Sequence, residues 1–341
     1  MIKKMIKIIL WFLVIAIAIW YIKFAKHYPY NTDLSDAKYD YWGVTYSPKF
    51  AEELGLDWQE AYLAILDDLK VKNIRIPIYW DLIEDKQGSF DFSIYDYIFD
   101  EAAKRDIKII ANVGWRLPRW PECHAPTWAQ KLSTEQIQAE ILPMIEIVVN
   151  RYKDREEIVA WQVENEPLLN TFGLCPDGDE DFLKKEVALV KGLDKHRDII
   201  ISASGELSTW SHEVQLADIF GTTMYRVVWN PWFRYFRYPI PAWFYKTKAD
   251  ILSVPTDNLI ISELQAEPWV PNGTLADQTT LESNKSFDIE QFIANLEFAI
   301  KVDFKQTYLW GVEWWYWQFQ NGNPEYWDIA RDLFIEEVVE E

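Results

Sequence analysis

Cysteine, histidine and glycine are scarce in this chain: 341 residues hold two Cys, four His and 12 Gly. The histidines (His27, His124, His196 and His212) form no H-x-H or H-E-x-x-H pair, and the cysteines stand alone. A catalytic metal site is therefore disfavoured, because zinc ligands cluster at short spacings. No glycine-rich phosphate loop follows the first strand-like run, so dinucleotide binding has no support and no cofactor is implied. Basic charge is also short, with 34 Lys and Arg against 54 Asp and Glu and a net charge of −20. Nucleic acid is excluded as a partner, since phosphate binding needs a basic face. Low-complexity tracts are missing, as is any linker that would divide the main body of the chain.

What the chain has in abundance is apolar surface: 49% of its residues are hydrophobic and 16% aromatic. The first 24 residues stand apart from the rest. "MIKKMIKIILWFLVIAIAIWYIKF" carries Lys3, Lys4 and Lys7, then an unbroken apolar run from Ile8 to Ile22. Met5 to Phe24 reaches the roughly 20 residues that a bilayer span needs. No small-residue cleavage site follows; Trp20, Tyr21 and Phe24 occupy that place. Residues 1–24 thus read as a single-pass transmembrane signal-anchor. Three lysines precede the span and Lys23 and Lys26 follow it, which favours a cell-membrane protein with its bulk outside the cytoplasm. Residues 25–40 read as a polar linker, and residues 41–341 as one domain.

That domain alternates strand-like and helix-like segments. The strands are predicted at Trp42–Tyr46, Ile74–Ile78, Ile107–Val113, Ile158–Val163, Ile199–Ser202, Phe220–Tyr225, Leu259–Ser262 and Thr307–Val312. Between them, "WQEAYLAILDDLKV", "IYDYIFDEAAKR" and "IEQFIANLEFAIKV" carry helical periodicity. Eight βα repeats over about 300 residues predict an α/β fold, a closed (β/α)8 TIM barrel. In such barrels, functional groups sit where strands end and βα loops begin.

Two of those junctions carry glutamates of interest. The fourth strand closes on Asn165-Glu166-Pro167, and the seventh runs into Glu263 in "IISELQ". Fourth and seventh strand ends face each other across a barrel mouth, and opposed carboxylates suit glycoside hydrolysis. Glu164, Glu206, Glu267 and Glu313 are rival carboxylates; Glu267, in "AEPW", is the strongest of them.

Taken together, these motifs resemble glycoside hydrolase clan A, the retaining (β/α)8 glycosidases that include the cellulase-type family 5. The resemblance covers most of residues 41 to 335. It implies Glu166 as general acid/base, Glu263 as nucleophile and Asn165 as the reader of the sugar 2-hydroxyl. It further implies Arg75, in "NIRIPIYW", beside the nucleophile, Tyr225 in contact with it, and Trp315, in "EWWYW", as the apolar floor of the sugar subsite. Pro167 is expected to hold Glu166 in extended geometry. One departure stands out. The histidines usual after strand three and on strand six are replaced by "NVGW" and Thr223-Met224-Tyr225, with Asn112 and Trp115 as candidates to fill the gap. The implied partner is an oligo- or polysaccharide and the implied reaction is retaining hydrolysis of β-glycosides. Transglycosylation by the same residues, or glycan binding without catalysis, are the alternatives.

Cys123 and Cys175 fall in the loops after strands three and four. In an exported chain, adjacent loops on one barrel face favour a disulfide at the rim of the site. Residues 225–248 hold ten aromatic and five basic residues and no acid. This stretch reads as a glycan platform, an interfacial patch or a loop packed on itself.

Overall fold

The computed structural model describes residues 2–25, Leu34, 41–271 and 273–334. Ten strands are present among them: β1 Trp42–Thr45, β2 Asn73–Pro77, β3 Lys108–Val113, β4 Ile158–Val163, β5 Asp198–Ser204, β6 Ile219–Met224, β7 Val227–Asn230, β8 Arg234–Arg237, β9 Leu259–Gln265 and β10 Gln306–Trp310. Eight of them close a barrel in the order β1-β10-β9-β6-β5-β4-β3-β2, every pair parallel. All eight predicted strands are therefore present, β4 with the predicted bounds and the others with at least one end shifted, by no more than three residues. The largest shift is at β9, which continues to Gln265 and so carries Glu263 inside the strand rather than beyond it. A register irregularity at Thr222/Thr223 of β6 accommodates the change and pairs Thr223 with Glu263.

The helices form where the periodicity placed them, at Trp58–Asp67, Ser93–Ala103 and Ile289–Val302 among others. Side-chain caps start several of them. Asp57 accepts from the amides of Gln59 and Glu60, and Ser133 with Gln136 forms a reciprocal capping box before Thr134–Tyr152. Their apolar faces pack on the outside of the barrel. Inside it, Ile110, Ala160, Ile200, Ile260 and Tyr308 make a separate apolar layer. Because side chains on a strand alternate with period two, the residues two further on share that inward face. On β3, β4 and β5 these are polar: Asn112, Gln162 and Ser202. The barrel interior therefore changes from hydrocarbon to hydrogen-bonding groups towards the C-terminal ends of the strands.

Strands β7 and β8 were not foreseen. They form an antiparallel hairpin in the aromatic-basic segment, with Val227 opposite Arg237 and Asn230 opposite Arg234. The Asn230 side chain accepts the amides of Trp232 and Phe233 at 3.0 and 2.7 Å and fixes the turn. Trp232 and Phe233 project from the tip, 89% and 73% exposed.

Ile2–Ala25 is a helix of 24 residues, and its described apolar side chains, such as Leu10, Trp11 and Phe12, are exposed instead of packed on the barrel. Among the described residues, no helix is long and apolar enough to cross a membrane. The transmembrane expectation is thus not supported by the structure; part of its apolar run, including the side chains of Ile8, Ile17 and Trp20–Ile22, lies outside the described residues. So does the linker, apart from Ala25 and Leu34.

Candidate active site

Arg75 organises the mouth of the barrel. It leaves β2 pointing inward and is fully buried. Its Nε donates to Gln162 Oε1 at 2.7 Å, Nη1 to Glu263 Oε1 at 2.8 Å, and Nη2 to Asn165 Oδ1 at 2.7 Å. One planar guanidinium thereby fixes β4, the loop after it, and β9 relative to one another, which a lysine's single ammonium is not shaped to do. Tyr225 OH donates to the other oxygen of Glu263 at 2.8 Å. Glu263 is 2% exposed, with both carboxylate oxygens held by donors.

Glu166 is bound differently. Its Oε1 accepts from Thr223 Oγ1 at 2.9 Å, and no cation lies within ion-pair distance among the described residues. Burial, and then the charge of Glu263, push its carboxyl up to about 8 against an ordinary 4.5; the Thr223 hydroxyl opposes this only in part. Thr223 and Tyr225 are two residues apart on β6 and its continuation, so one short segment supplies a hydrogen bond to each carboxyl group. Thr223 is also the Cα partner of Glu263 in the sheet. Thr223 occupies one of the positions where a histidine was expected.

The backbone around Glu166 departs from expectation. Its φ is 45°, left-handed rather than extended, so Pro167 does not hold it in strand geometry. Neighbouring Glu164 is also left-handed, at φ 59°. The turn is stabilised by the Glu166 amide donating to Ser202 Oγ at 3.0 Å and by Leu169 N–H donating to Glu166 O at 2.9 Å. Glu164 caps the opposite loop, its two oxygens accepting the amides of Trp115 and Arg116 at 2.7 and 2.6 Å. A left-handed, non-glycine residue costs energy, and such residues collect at functional sites.

Of the residues singled out from sequence, the structure brings together Glu166, Glu263, Asn165, Arg75 and Tyr225. Trp315 is a correction: it is completely buried, donates to Ala266 O at 2.6 Å and packs on Phe292. Its rings belong to the core, because Val312–Gln320 forms a helix that turns this position inward. Trp310, the last residue of β10, is the eighth-strand tryptophan near the mouth; its Nε1 donates to Glu267 Oε1 at 2.8 Å. Asn112 lies one layer below the carboxylates, beside Gln162 in the sheet, and its amide has no hydrogen-bond partner among the described residues. Trp115 is tied through its backbone amide to Glu164, and its Nε1 has no hydrogen-bond partner among the described residues.

The rival carboxylates are all engaged elsewhere. Glu267 and Glu313 share Arg119, which stacks on Phe50 and Trp310. Glu206 accepts from Tyr245 OH at 2.7 Å. Three neighbours of these residues escaped the sequence reading: Gln162, Ser202 and Glu122. Ser202 lies in the plain run "ISAS", and Glu122 in a loop with no motif of its own. Glu122 is 4% exposed and accepts from Asn165 Nδ2 at 3.2 Å. It sits next to Cys123, which is bonded to Cys175 as the sequence suggested, Cα atoms 5.4 Å apart. Among the described residues, no group of three or more His, Cys, Asp or Glu is arranged to hold a metal ion.

Comparison with known proteins bears on the family and the barrel. Residues 41–282 match the family model of cellulase, glycosyl hydrolase family 5. A curated relative, the beta-galactosidase LacZ of Lactobacillus acidophilus, is 21% identical over 170 residues; the match covers 42% of this chain and only 24% of that protein. Among solved structures, xylanase 10B of Thermotoga maritima superposes with a TM-score of 0.51 at 15% identity, over 79% of this chain and 82% of that one. A Thermobacillus composti xylanase of glycoside hydrolase family 10 gives 0.50 at 16% identity, over 80% and 85%. At such identities these superpositions speak for the barrel alone. The family match spans well over half of the chain, and the protein belongs to the cellulase-type glycosyl hydrolase family 5, within the clan of (β/α)8 glycosidases.

Proposed function

We propose that the protein is a retaining β-glycosidase acting by double displacement, with Glu263 as nucleophile and Glu166 as general acid/base. The observation that carries this is the unequal treatment of the two carboxyl groups. Glu263 is bound by a guanidinium and a phenol hydroxyl, as suits an ionised nucleophile. Glu166 has a single hydroxyl donor and a carboxyl raised to about 8, as suits a group that must carry a proton at neutral pH. In the first half-reaction Glu263 attacks the anomeric carbon while Glu166 protonates the departing oxygen. In the second, Glu166 takes a proton from water, which attacks the same carbon and releases Glu263. Asn165, fixed by Arg75 and Ser202, holds the sugar at its 2-position. The substrate is an oligo- or polysaccharide.

The same reading keeps the chain at a membrane through residues 1–24, with the barrel outside the cytoplasm. Support comes from the lysine asymmetry around the apolar run and from the disulfide, which belongs to oxidising compartments. Recovery of the full-length protein in the soluble fraction after cell breakage would remove this part.

The test of the catalytic reading is hydrolysis of a panel of aryl β-glycosides by the full-length protein, beside Glu263→Ala and Glu166→Ala. Both variants are expected to lose cleavage. Azide should rescue Glu263→Ala and yield a glycosyl azide of inverted configuration. Glu263→Ala retaining wild-type turnover would sink the assignment.

A further inference from the structure

The loop that follows β3 folds back on itself to present one acidic side chain. Leu117 N–H donates to Glu122 O at 2.8 Å, Glu122 N–H to Arg119 O at 2.8 Å, and His124 N–H to Trp115 O at 3.0 Å. Arg119 and Glu122 are both left-handed, at φ 83° and 73°. The loop after β4 closes on the other side. Leu174 N–H donates to Pro121 O at 2.9 Å, and Cys175 is bonded to Cys123. Gly173 passes so near that a Cβ there would stand 2.9 Å from Cβ and Cγ of Glu122. Two loops and a disulfide therefore clamp the stem of this side chain.

The carboxyl group so held is poorly provided for by the protein. Glu122 is 4% exposed, and among the described residues no Lys or Arg pairs with it. Arg116, whose charge acts on it, gives Nη1 and Nη2 to the carbonyls of Leu169 and Phe172 at 2.7 and 2.8 Å, while its Nε has no hydrogen-bond partner among the described residues. Asn165 Nδ2 donates to Oε2 at 3.2 Å, and among the described residues no donor is in place for Oε1. Burial first, then the charges of Glu263 and Glu166, raise its carboxyl well above the ordinary value. A buried carboxyl without a cation destabilises a fold. A strained, clamped loop that presents one beside Asn165 makes sense if a ligand completes its hydrogen bonding.

We infer that Glu122 is a substrate-binding residue that, together with Asn165, reads the 2-position of the sugar held at Glu263, and that it selects glycosides bearing a hydrogen-bond donor there. This rests on the catalytic reading above, which sets the anomeric carbon at Glu263 and C2 at Asn165. The donor is a hydroxyl or a primary ammonium. With a hydroxyl, Glu122 Oε1 accepts its proton while Asn165 holds the oxygen. With an ammonium, the bound cation favours the ionised form of Glu122, and the two then pair.

The test uses three matched aryl β-glycosides that differ only at C2: 2-hydroxy, 2-amino and 2-deoxy. Wild type, Glu122→Gln and Glu122→Ala are compared on each. Loss of a hydrogen bond to a buried carboxyl should lower kcat/KM of Glu122→Ala on the 2-hydroxy substrate by roughly 10- to 100-fold. The same change on the 2-deoxy substrate should be under about threefold, since the contact is already missing. Glu122→Gln separates the sources: it should recover part of the 2-hydroxy rate if the natural substituent is neutral, and none of the 2-amino rate if it is cationic. Equal losses on the 2-hydroxy and 2-deoxy substrates would overturn the inference and make Glu122 a structural residue. Should wild type cleave none of the three, the catalytic reading fails separately. The inference is then decided by calorimetry with a pair of iminosugars with and without the hydroxyl next to the anomeric position. Equal affinity of wild type and Glu122→Ala for both, or no binding of either, overturns it.

Discussion

Glu166 is kept protonated at the expense of the fold, and that expense is measurable. In the unfolded chain its carboxyl titrates near 4.5; in the folded protein, near 8. The folded state therefore binds the proton more tightly, and stability falls as pH rises from about 4.5 to about 8, then levels. Each unit of difference is worth about 1.4 kcal/mol, so the full penalty above pH 8 has a ceiling of about 5 kcal/mol. Relaxation around the ionised group and its shared interaction with Glu263 bring a realistic figure to about 2 kcal/mol. Glu166→Gln removes the titration while leaving an oxygen for the Thr223 hydroxyl. Its thermal midpoint should match wild type near pH 4 and exceed it at pH 8 by roughly 4–8 °C, taking 2–4 °C per kcal/mol for a domain of this size. Differential scanning calorimetry at half-unit pH steps reads this directly. The wild-type pH profile of kcat/KM should carry an alkaline limb near pH 8, where the free enzyme's acid loses its proton. A midpoint difference that is constant with pH, or that grows towards acid, would refute the assignment of the raised carboxyl to Glu166.

Other changes test separate parts of the structure. Arg75→Ala should lower kcat/KM by about 100-fold or more and cost roughly 3–5 kcal/mol in urea denaturation, because it strands the buried carboxylate of Glu263. Trp315→Phe should reduce the thermal midpoint with KM unchanged, as befits a core residue; a raised KM would return it to the sugar subsite. Gly114→Ala should destabilise strongly, since φ is 133° and the new Cβ would lie 2.4 Å from Glu164 Oε1; an unchanged midpoint would contradict the packing. Paired Cys123→Ser and Cys175→Ser should cost about 4 kcal/mol in the chain-entropy account of a bridge spanning 52 residues. A smaller loss measured by denaturant would point to a constrained unfolded state.

Sequence legibility followed the range of the interactions. Strands and helices were readable because they follow from local alternation, and the eight barrel strands appeared close to their predicted places. Glu166, Glu263, Asn165, Arg75 and Tyr225 were readable because strand ends are where a barrel displays its functional groups. Trp315 misled because four tryptophans lie within eight residues, Trp310 to Trp317, and only the helix starting at Val312 decides which of them face inward. Glu122 was invisible for the opposite reason. It reaches the site through a loop whose shape depends on a disulfide and on the neighbouring loop, and neither leaves a periodic trace. The hairpin β7–β8 hid because its segment's aromatic residues fit several loop readings equally well.

The hairpin tip has a consequence for how copies of the protein behave towards each other. Trp232 and Phe233 stand almost free, held forward by Asn230. On a neutral protein such a tip would be an adhesive point. Here it rides on a body with 20 excess negative charges, and at low ionic strength the repulsion between bodies reaches well beyond the length of two side chains. Salt shortens that reach to a few ångströms at about 1 M, and strongly hydrated salts such as sulfate also favour burial of apolar surface. Colloidal stability should therefore be set by ionic strength, with self-association appearing in concentrated salt and disappearing in Trp232→Ser.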